Sequence, residues 1–207
     1  MTLALIAGQG GLPPHLVQVM RTRGEVPVIC EIEQFPSQVE GVMPRITFRL
    51  EQFGTFLAVL TGLGVNRLCM AGAMRRPPID PAMIDAATMP LVPRIQSGLA
   101  KGDDGTLRTF IELFEEQGIE VIGAAGIDPA LLPDQGVATG DLPETIDDDV
   151  AAARAALAQM AQVDLGQAVV VRDGKVIVRE DDAGTDAMLA GLVPGGTGDG
   201  WSGDPFE

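Results

Sequence analysis

The stretch "TLALIAGQGGLPPHLVQVMRTRG", Thr2 to Gly24, constrains this chain more than any other. A short apolar run passes through a glycine turn into a helical segment that ends before Gly24, which is the opening unit of a parallel sheet with crossover helices. Pro13 or Pro14 suits the first turn of that helix, where a missing N–H costs nothing. The unit then repeats. "VPVICEI" reads as a second buried strand, followed by a loop from Gln34 to Pro44. In "FRLEQFGTFLAVLTGLG" the apolar residues Leu50, Phe53, Leu57 and Leu60 recur at helical spacing. "NRLCMAGAM" is a third strand, closed by the break "RRPPIDP". A helical region to about Leu99, an amphipathic helix in "GDDGTLRTFIELFEEQG" and a strand in "IEVIGAAG" complete the pattern. The fold class is α/β, with a Rossmann-like parallel-sheet domain expected over residues 1–130.

The pattern then changes. Residues 131–143, "LLPDQGVATGDLP", are rich in Gly, Pro and Asp and read as a linker. A second, smaller α/β domain is expected over residues 144–193. It starts with the Ala-rich helix "IDDDVAAARAALAQMAQ", whose acidic residues suit the positive end of the helix dipole. "GQAVVVRDGKVIVRED" sets two β-branched runs around Asp173-Gly174, the strongest hairpin signal in the chain. "GTDAMLAGL" turns into a short helix, and residues 194–207, with almost no apolar content, are expected to be disordered. There is no internal repeat.

Composition excludes some functions. The formal net charge of −15 argues against nucleic-acid binding through a basic surface, since phosphate contacts need Lys and Arg on one face. An acidic protein handling an anionic small ligand needs arginines, backbone N–H groups or a cation at the site. Cys30 and Cys69 sit inside apolar runs and read as buried, reduced thiols. No signal peptide and no apolar run of about 18 residues or more is present, so a cytoplasmic protein is expected.

Several stretches carry chemistry. "AGQGGLPP" places Gly8, Gly10 and Gly11 between a strand and a helix N-terminus, where backbone approaches phosphate closely; a tight βα turn explains the same glycines. Pro13 stands where a dinucleotide fingerprint has its third glycine, which disfavours a generic oxidoreductase, although Glu31 or Glu33 after the second strand could contact a ribose. "AGAMRRPP" ends the third strand with Arg75 and Arg76 on a proline-stiffened loop, suited to gripping a phosphate or simply to solvation. Asp103 and Asp104 stand directly before the amphipathic helix. One carboxylate suffices as a cap, and the adjacent pair repels unless a cation such as Mg²⁺ offsets it. "REDDAGTDAM" gathers Glu180, Asp181, Asp182 and Asp186; strand alternation points Glu180 and Asp182 together, and Thr185 or Asp186 could cap the next helix. The one histidine, His15, lies in the first helix turn and reads as structural or exposed. No Ser–His–Asp order, zinc spacing or cysteine nucleophile is evident, which favours metal-assisted attack by water over covalent hydrolysis.

Taken in order, "AGQGGLP", "RLEQFG", "AGAMRRP", "KGDDGTLRTFIELFEEQGIEVIGA", "GQAVVV" and "GTDAM" resemble the LpxI-type UDP-2,3-diacylglucosamine pyrophosphatases of lipid A biosynthesis, up to about Leu189. The resemblance implies a Rossmann-like domain joined to a smaller α/β domain, with the substrate between them. It also implies a homodimer and Mg²⁺-dependent hydrolysis of UDP-2,3-diacylglucosamine to UMP and 2,3-diacylglucosamine 1-phosphate. The lipid would bring the protein into transient contact with the cytoplasmic face of the inner membrane. On this footing Gly8, Gly10, Gly11 and Leu12 face the nucleotide, Arg75 and Arg76 its phosphates, and Asp103, Gln167 and Thr185 other parts of the substrate. Asp104 and Asp186 become the candidate catalytic residues, and Asp104, Glu180 and Asp186 the candidate metal ligands. Two departures accompany the resemblance. Family members usually have a glutamate where Ala183 stands, and they continue into a lysine-bearing strand and a Gln-Asp-x-Arg-x-Asp segment, whereas here "GGTGDGWSGDPFE" follows. The alternative expectation is therefore a homologue that binds the UDP-sugar or lipid product with weak or no turnover.

Overall fold

The computed structural model describes residues 2–74, 78–100, 102–137, 140–163 and 165–192, and leaves the side chains of Asp103 and Asp104 undescribed. The chain divides into two compact units, Met1–Pro133 and Asp134–Glu207.

In the first unit the strands β1 (Thr2–Ala7), β2 (Val28–Ile32), β3 (Arg45–Phe48), β4 (Val65–Ala71) and β5 (Glu120–Ile122) form a parallel sheet in the order β3-β2-β1-β4-β5. Helices α1 (Leu12–Thr22), α2 (Phe53–Gly62), α3 (Val92–Leu99) and α4 (Gly102–Glu115) are connected around it. The inner strands are apolar on both faces because both are covered. On one face Leu5, Ile29 and Cys69 pack against Leu16, Val17 and Met20 of α1. On the other, Ala4, Cys30 and Leu68 pack with Phe53, Phe56 and Leu60 of α2 and Leu113 and Phe114 of α4. With few aromatic residues in the chain, five phenylalanines gather here. Phe48 stacks on Phe56 with centroids 3.9 Å apart, and Phe53 meets Phe110 and Phe114 edge-on.

Three sequence expectations need revision. Phe48, read with the run into the helix, and residues 45–47, assigned to no element, form the edge strand β3, paired from Ile29↔Arg45 to Ile32↔Phe48. Helix α2 begins only at Phe53, after a 3-10 turn at Leu50–Gln52. Asp103 and Asp104 lie within the first turn of α4 rather than before it. The expected sheet of alternating strands and helices is present. Cys30 and Cys69 are free and buried, and burial pushes their thiols up to about 12 and about 11, so neither is an effective thiolate at neutral pH.

The second unit has α5 (Ile146–Gln162), the antiparallel hairpin β6 (Val169–Arg172) and β7 (Lys175–Arg179), and α6 (Thr185–Ala190). Asp173 and Gly174 take φ of 53° and 72°, the pair of positive values a tight hairpin turn demands. Asp149, in the first turn of α5, accepts the Gly174 N–H at 2.6 Å and ties helix to turn. No helix among the described residues is long and apolar enough to cross a membrane.

Candidate functional site

The sheet order reverses between β1 and β4: the chain builds outwards from β1 through β2 to β3, then returns to the other side of β1. In open parallel sheets such a reversal opens a crevice at the strand C-terminal ends, because the two flanking loops leave in opposite directions. Here those loops are Gly8–Gly11 and Gly72–Met74. They are stitched together. Gly8 N–H donates to Ala71 O at 2.8 Å, and Gln9 and Ala73 exchange two backbone bonds of 2.9 Å. A Cβ on Gly8 would lie 2.6 Å from Ala73 O, and one on Gly72, which has φ +89°, would lie 2.7 Å from Gln9 O and 2.8 Å from the Pro13 ring. Gly8 is thus buried against the β4 loop, and its missing side chain serves that contact.

Gly10 and Gly11 differ. Both are exposed, and nothing lies within 4 Å of where their Cβ atoms would be. The N–H groups of Gly10, Gly11 and Leu12 have no acceptor among the described residues, whereas His15 N–H already donates to Gly11 O. Pro13 and Pro14 contribute no donor. The helix end therefore offers fewer N–H groups than a proline-free one, concentrated on Gly10, Gly11 and Leu12. Arg75 and Arg76 lie outside the described residues, directly beyond Met74. Helix α4 is the crossover into β5 and runs against the strands, which brings its first turn, with Asp103 and Asp104, to the same edge of the sheet.

His15 Nε2 and Asp128 Oδ2 share a hydrogen bond of 2.6 Å, and Arg23 donates to Ile127 O at 2.6 Å, so α1 holds the segment after β5. The His15 imidazole keeps the Asp128 carboxyl below the usual carboxylate range. This is a structural reading of His15, as its lone occurrence suggests.

The two acids expected after the second strand are engaged, and Glu31 lies within β2 itself, with only Glu33 beyond it. Buried Glu31 accepts Ser37 N–H at 3.0 Å, Ser37 Oγ–H at 2.5 Å and Arg45 at 3.2 Å. Burial pushes its carboxyl up, but these bonds outweigh it and leave it below the usual value. Glu33 pairs with Arg49 at 3.2 Å. Sequence reasoning missed Glu51 altogether. It is 1% exposed and accepts the Asp80 N–H at 3.0 Å and Arg49 at 3.3 Å. Burial raises its pKa, and the Asp80 N–H, its own N–H and Arg49 together bring it below the usual value. A glutamate inside an amphipathic run reads as solvent-facing, so only the contact with a residue far along the chain reveals it.

In the second unit Gln167, Glu180 and Thr185 come together. Glu180 Oε2 accepts the Gln167 N–H at 2.7 Å and Oε1 accepts the Thr185 hydroxyl at 2.7 Å; both bonds hold its carboxyl below the usual value. Gly166, with φ +65°, lets Glu180 approach, since a Cβ there would lie 2.4 Å from Glu180 O. Two expectations change here. Glu180 follows the end of β7, so strand alternation does not govern residues 180–182, and Asp181 instead accepts the Ala183 N–H at 2.9 Å. Gly184, not Thr185 or Asp186, stands at the start of α6, with no side-chain cap. Asp186 is exposed in the first turn and makes no hydrogen bond among the described residues.

A doubly wound Rossmann-like sheet with its loops joined at the switch point, followed by a smaller α/β unit, defines the class of this protein. The LpxI N-terminal domain matches residues 2–131 and the LpxI C-terminal domain matches residues 134–196. The chain is 30% identical, over 189 residues, to the "UDP-2,3-diacylglucosamine pyrophosphatase LpxI" of Caulobacter vibrioides, a match covering 90% of this chain and 67% of that relative. This chain belongs to the LpxI family.

Proposed function

We propose that this chain hydrolyses the pyrophosphate bond of UDP-2,3-diacylglucosamine in lipid A biosynthesis, releasing UMP and 2,3-diacylglucosamine 1-phosphate. Water adds its oxygen to one phosphorus, the bridging P–O bond breaks with its electron pair kept on the departing phosphate oxygen, and the two water protons pass to the phosphate products and solvent. What carries the reading is the match of both LpxI domains in order along the chain. The open Gly10–Leu12 turn at the switch point supports it, since its N–H groups, which have no acceptor among the described residues, suit a phosphate without a basic surface. Gly10, Gly11 and Leu12 bind the nucleotide diphosphate, with Arg75 and Arg76 as its cationic partners, and Asp103 meets another part of the substrate. In the second unit Gln167 and Thr185 meet the substrate, and Asp186 orients water. The substrate's acyl chains bring the protein transiently to the cytoplasmic face of the inner membrane, and it works as a homodimer.

Mg²⁺ is the proposed cofactor: when bound, it would offset the charge of the diphosphate. Among the described residues no group of three or more His, Cys, Asp or Glu side chains is placed to hold a metal ion. Glu180 has both oxygens engaged and acts as the clasp between Gln167 and Thr185. The described side chains thus do not make a magnesium site by themselves. Asp104 and Asp186 are the ligands to test.

Purified protein incubated with UDP-2,3-diacylglucosamine and Mg²⁺ is expected to release UMP and the lipid 1-phosphate in equal amounts, and EDTA is expected to stop the release. UDP-sugar binding without UMP release would select the alternative, a homologue that retains ligand binding alone.

A further inference from the structure

In the second unit the backbone of Glu180 is fixed before its carboxylate forms any bond. Its N–H donates to Ala168 O at 2.9 Å. Gly166 lies so near that a Cβ there would meet Glu180 O at 2.4 Å. On the other side Gly184 N–H donates to Asp181 O at 3.0 Å and Ala183 N–H to Asp181 Oδ1 at 2.9 Å, which sets the turn into α6. The carboxylate then takes the Gln167 N–H on Oε2 and the Thr185 hydroxyl on Oε1, each at 2.7 Å.

This arrangement fixes a polarity. The Gln167 N–H and the Thr185 hydroxyl, with the Ala168 and Thr185 N–H groups, outweigh burial and keep the Glu180 carboxyl below its usual range. It is therefore ionised at neutral pH and only accepts. A threonine hydroxyl has one proton to donate, and here that proton goes to Glu180. Thr185 is exposed, and what its oxygen still offers is lone pairs. Ionised phosphate oxygens are acceptors too and gain nothing there, whereas a hydroxyl or an N–H does.

We infer that Glu180 is a positioning residue that holds the Thr185 hydroxyl as an acceptor, so that Thr185 takes a hydrogen-bond donor of the substrate, a hydroxyl or an N–H, and not its phosphates. The inference rests on the pyrophosphatase reading, in which Thr185 meets the substrate. Glu180 itself touches no substrate.

The test is Glu180→Gln, which reverses the polarity and keeps the shape. The Gln167 N–H can face only the amide oxygen, so the amide nitrogen turns to Thr185 and donates to it, and the Thr185 proton points outwards. Initial rates of UMP release by the full-length protein are expected to show KM raised about three- to tenfold, with kcat changed less and Tm close to wild type. Thr185→Val is expected to raise KM likewise, and Glu180→Gln to add nothing in that background, a dependence that a merely structural role does not produce. Calorimetric titration with UDP locates the donor. An unchanged Kd in Glu180→Gln puts it on the acylated sugar, and a raised Kd puts it on the ribose or uracil. Wild-type KM in Glu180→Gln would overturn the inference, as would an equal effect of Glu180→Gln with and without the Thr185 hydroxyl. If Glu180→Gln does not fold, Thr185→Val decides, and an unchanged KM overturns the inference. Wild-type protein that releases no UMP overturns the pyrophosphatase reading and this inference with it, whereas wild-type release with unaffected variants overturns this inference alone.

Discussion

Replacing Gly72 with alanine is expected to destabilise the first unit by about 2–4 kcal/mol. Two costs combine. The residue holds φ +89°, which an L side chain rarely adopts, and its Cβ would press on Gln9 O at 2.7 Å and on Gly8 C at 2.9 Å. Neither neighbour can yield, because both belong to the backbone pairing that joins the β1 and β4 loops. For a domain of this size the loss amounts to roughly 5–15 °C in Tm, readable by calorimetry. Gly11→Ala is the contrast. Gly11 has φ −76° and open space around its Cβ position, so stability is expected to stay within about 0.5 kcal/mol. UDP affinity should nevertheless fall, because the new methyl enters the space assigned to the nucleotide. If Gly11→Ala left binding intact, the open turn would be a surface loop only.

Asp104→Asn and Asp186→Asn are expected to lower UMP release by on the order of 10²-fold each, with little change in Tm. Asp104 lies in the first turn of α4 and Asp186 in that of α6. A carboxylate there contributes to the helix end, and its loss costs about 0.5–2 kcal/mol at most. Function and stability therefore separate. Measured side by side, equal losses of activity and of Tm in Asp104→Asn would return that residue to a helix-terminal role. For Asp186 the contrast is sharper, since it is exposed and makes no hydrogen bond among the described residues.

Much of this architecture was legible in the sequence where local chemistry decides it. The helix at Ile146–Gln162 coincides with the Ala-rich run, because alanine has the highest helix propensity and the acidic start complements the dipole. Asp173-Gly174 announced the hairpin, as that turn needs two positive φ values and few residue pairs supply them. Strand β3 was illegible for the opposite reason. "RITF" is four residues long at a sheet edge, so its apolar content does not differ from the run that follows, and only pairing with β2 makes it a strand. The sites divide in the same way. The glycine turn could be read because glycine at a strand–helix junction has few explanations. Whether each glycine serves a ligand or a neighbouring loop depends on contacts with Gly72 and Ala73, more than sixty residues away by about any count of the chain. Glu51 and Glu180 belong to this second kind: their partners Asp80, Gln167 and Thr185 are close only after folding.

The proposed reaction requires the nucleotide diphosphate to lie against the exposed turn after β1. A ¹⁵N amide titration of the intact protein with UDP tests this directly. The resonances of Gly10, Gly11 and Leu12 should shift in a saturable manner, with those of β6 and β7 unmoved. Saturable UDP binding that left these three amides unshifted would contradict it.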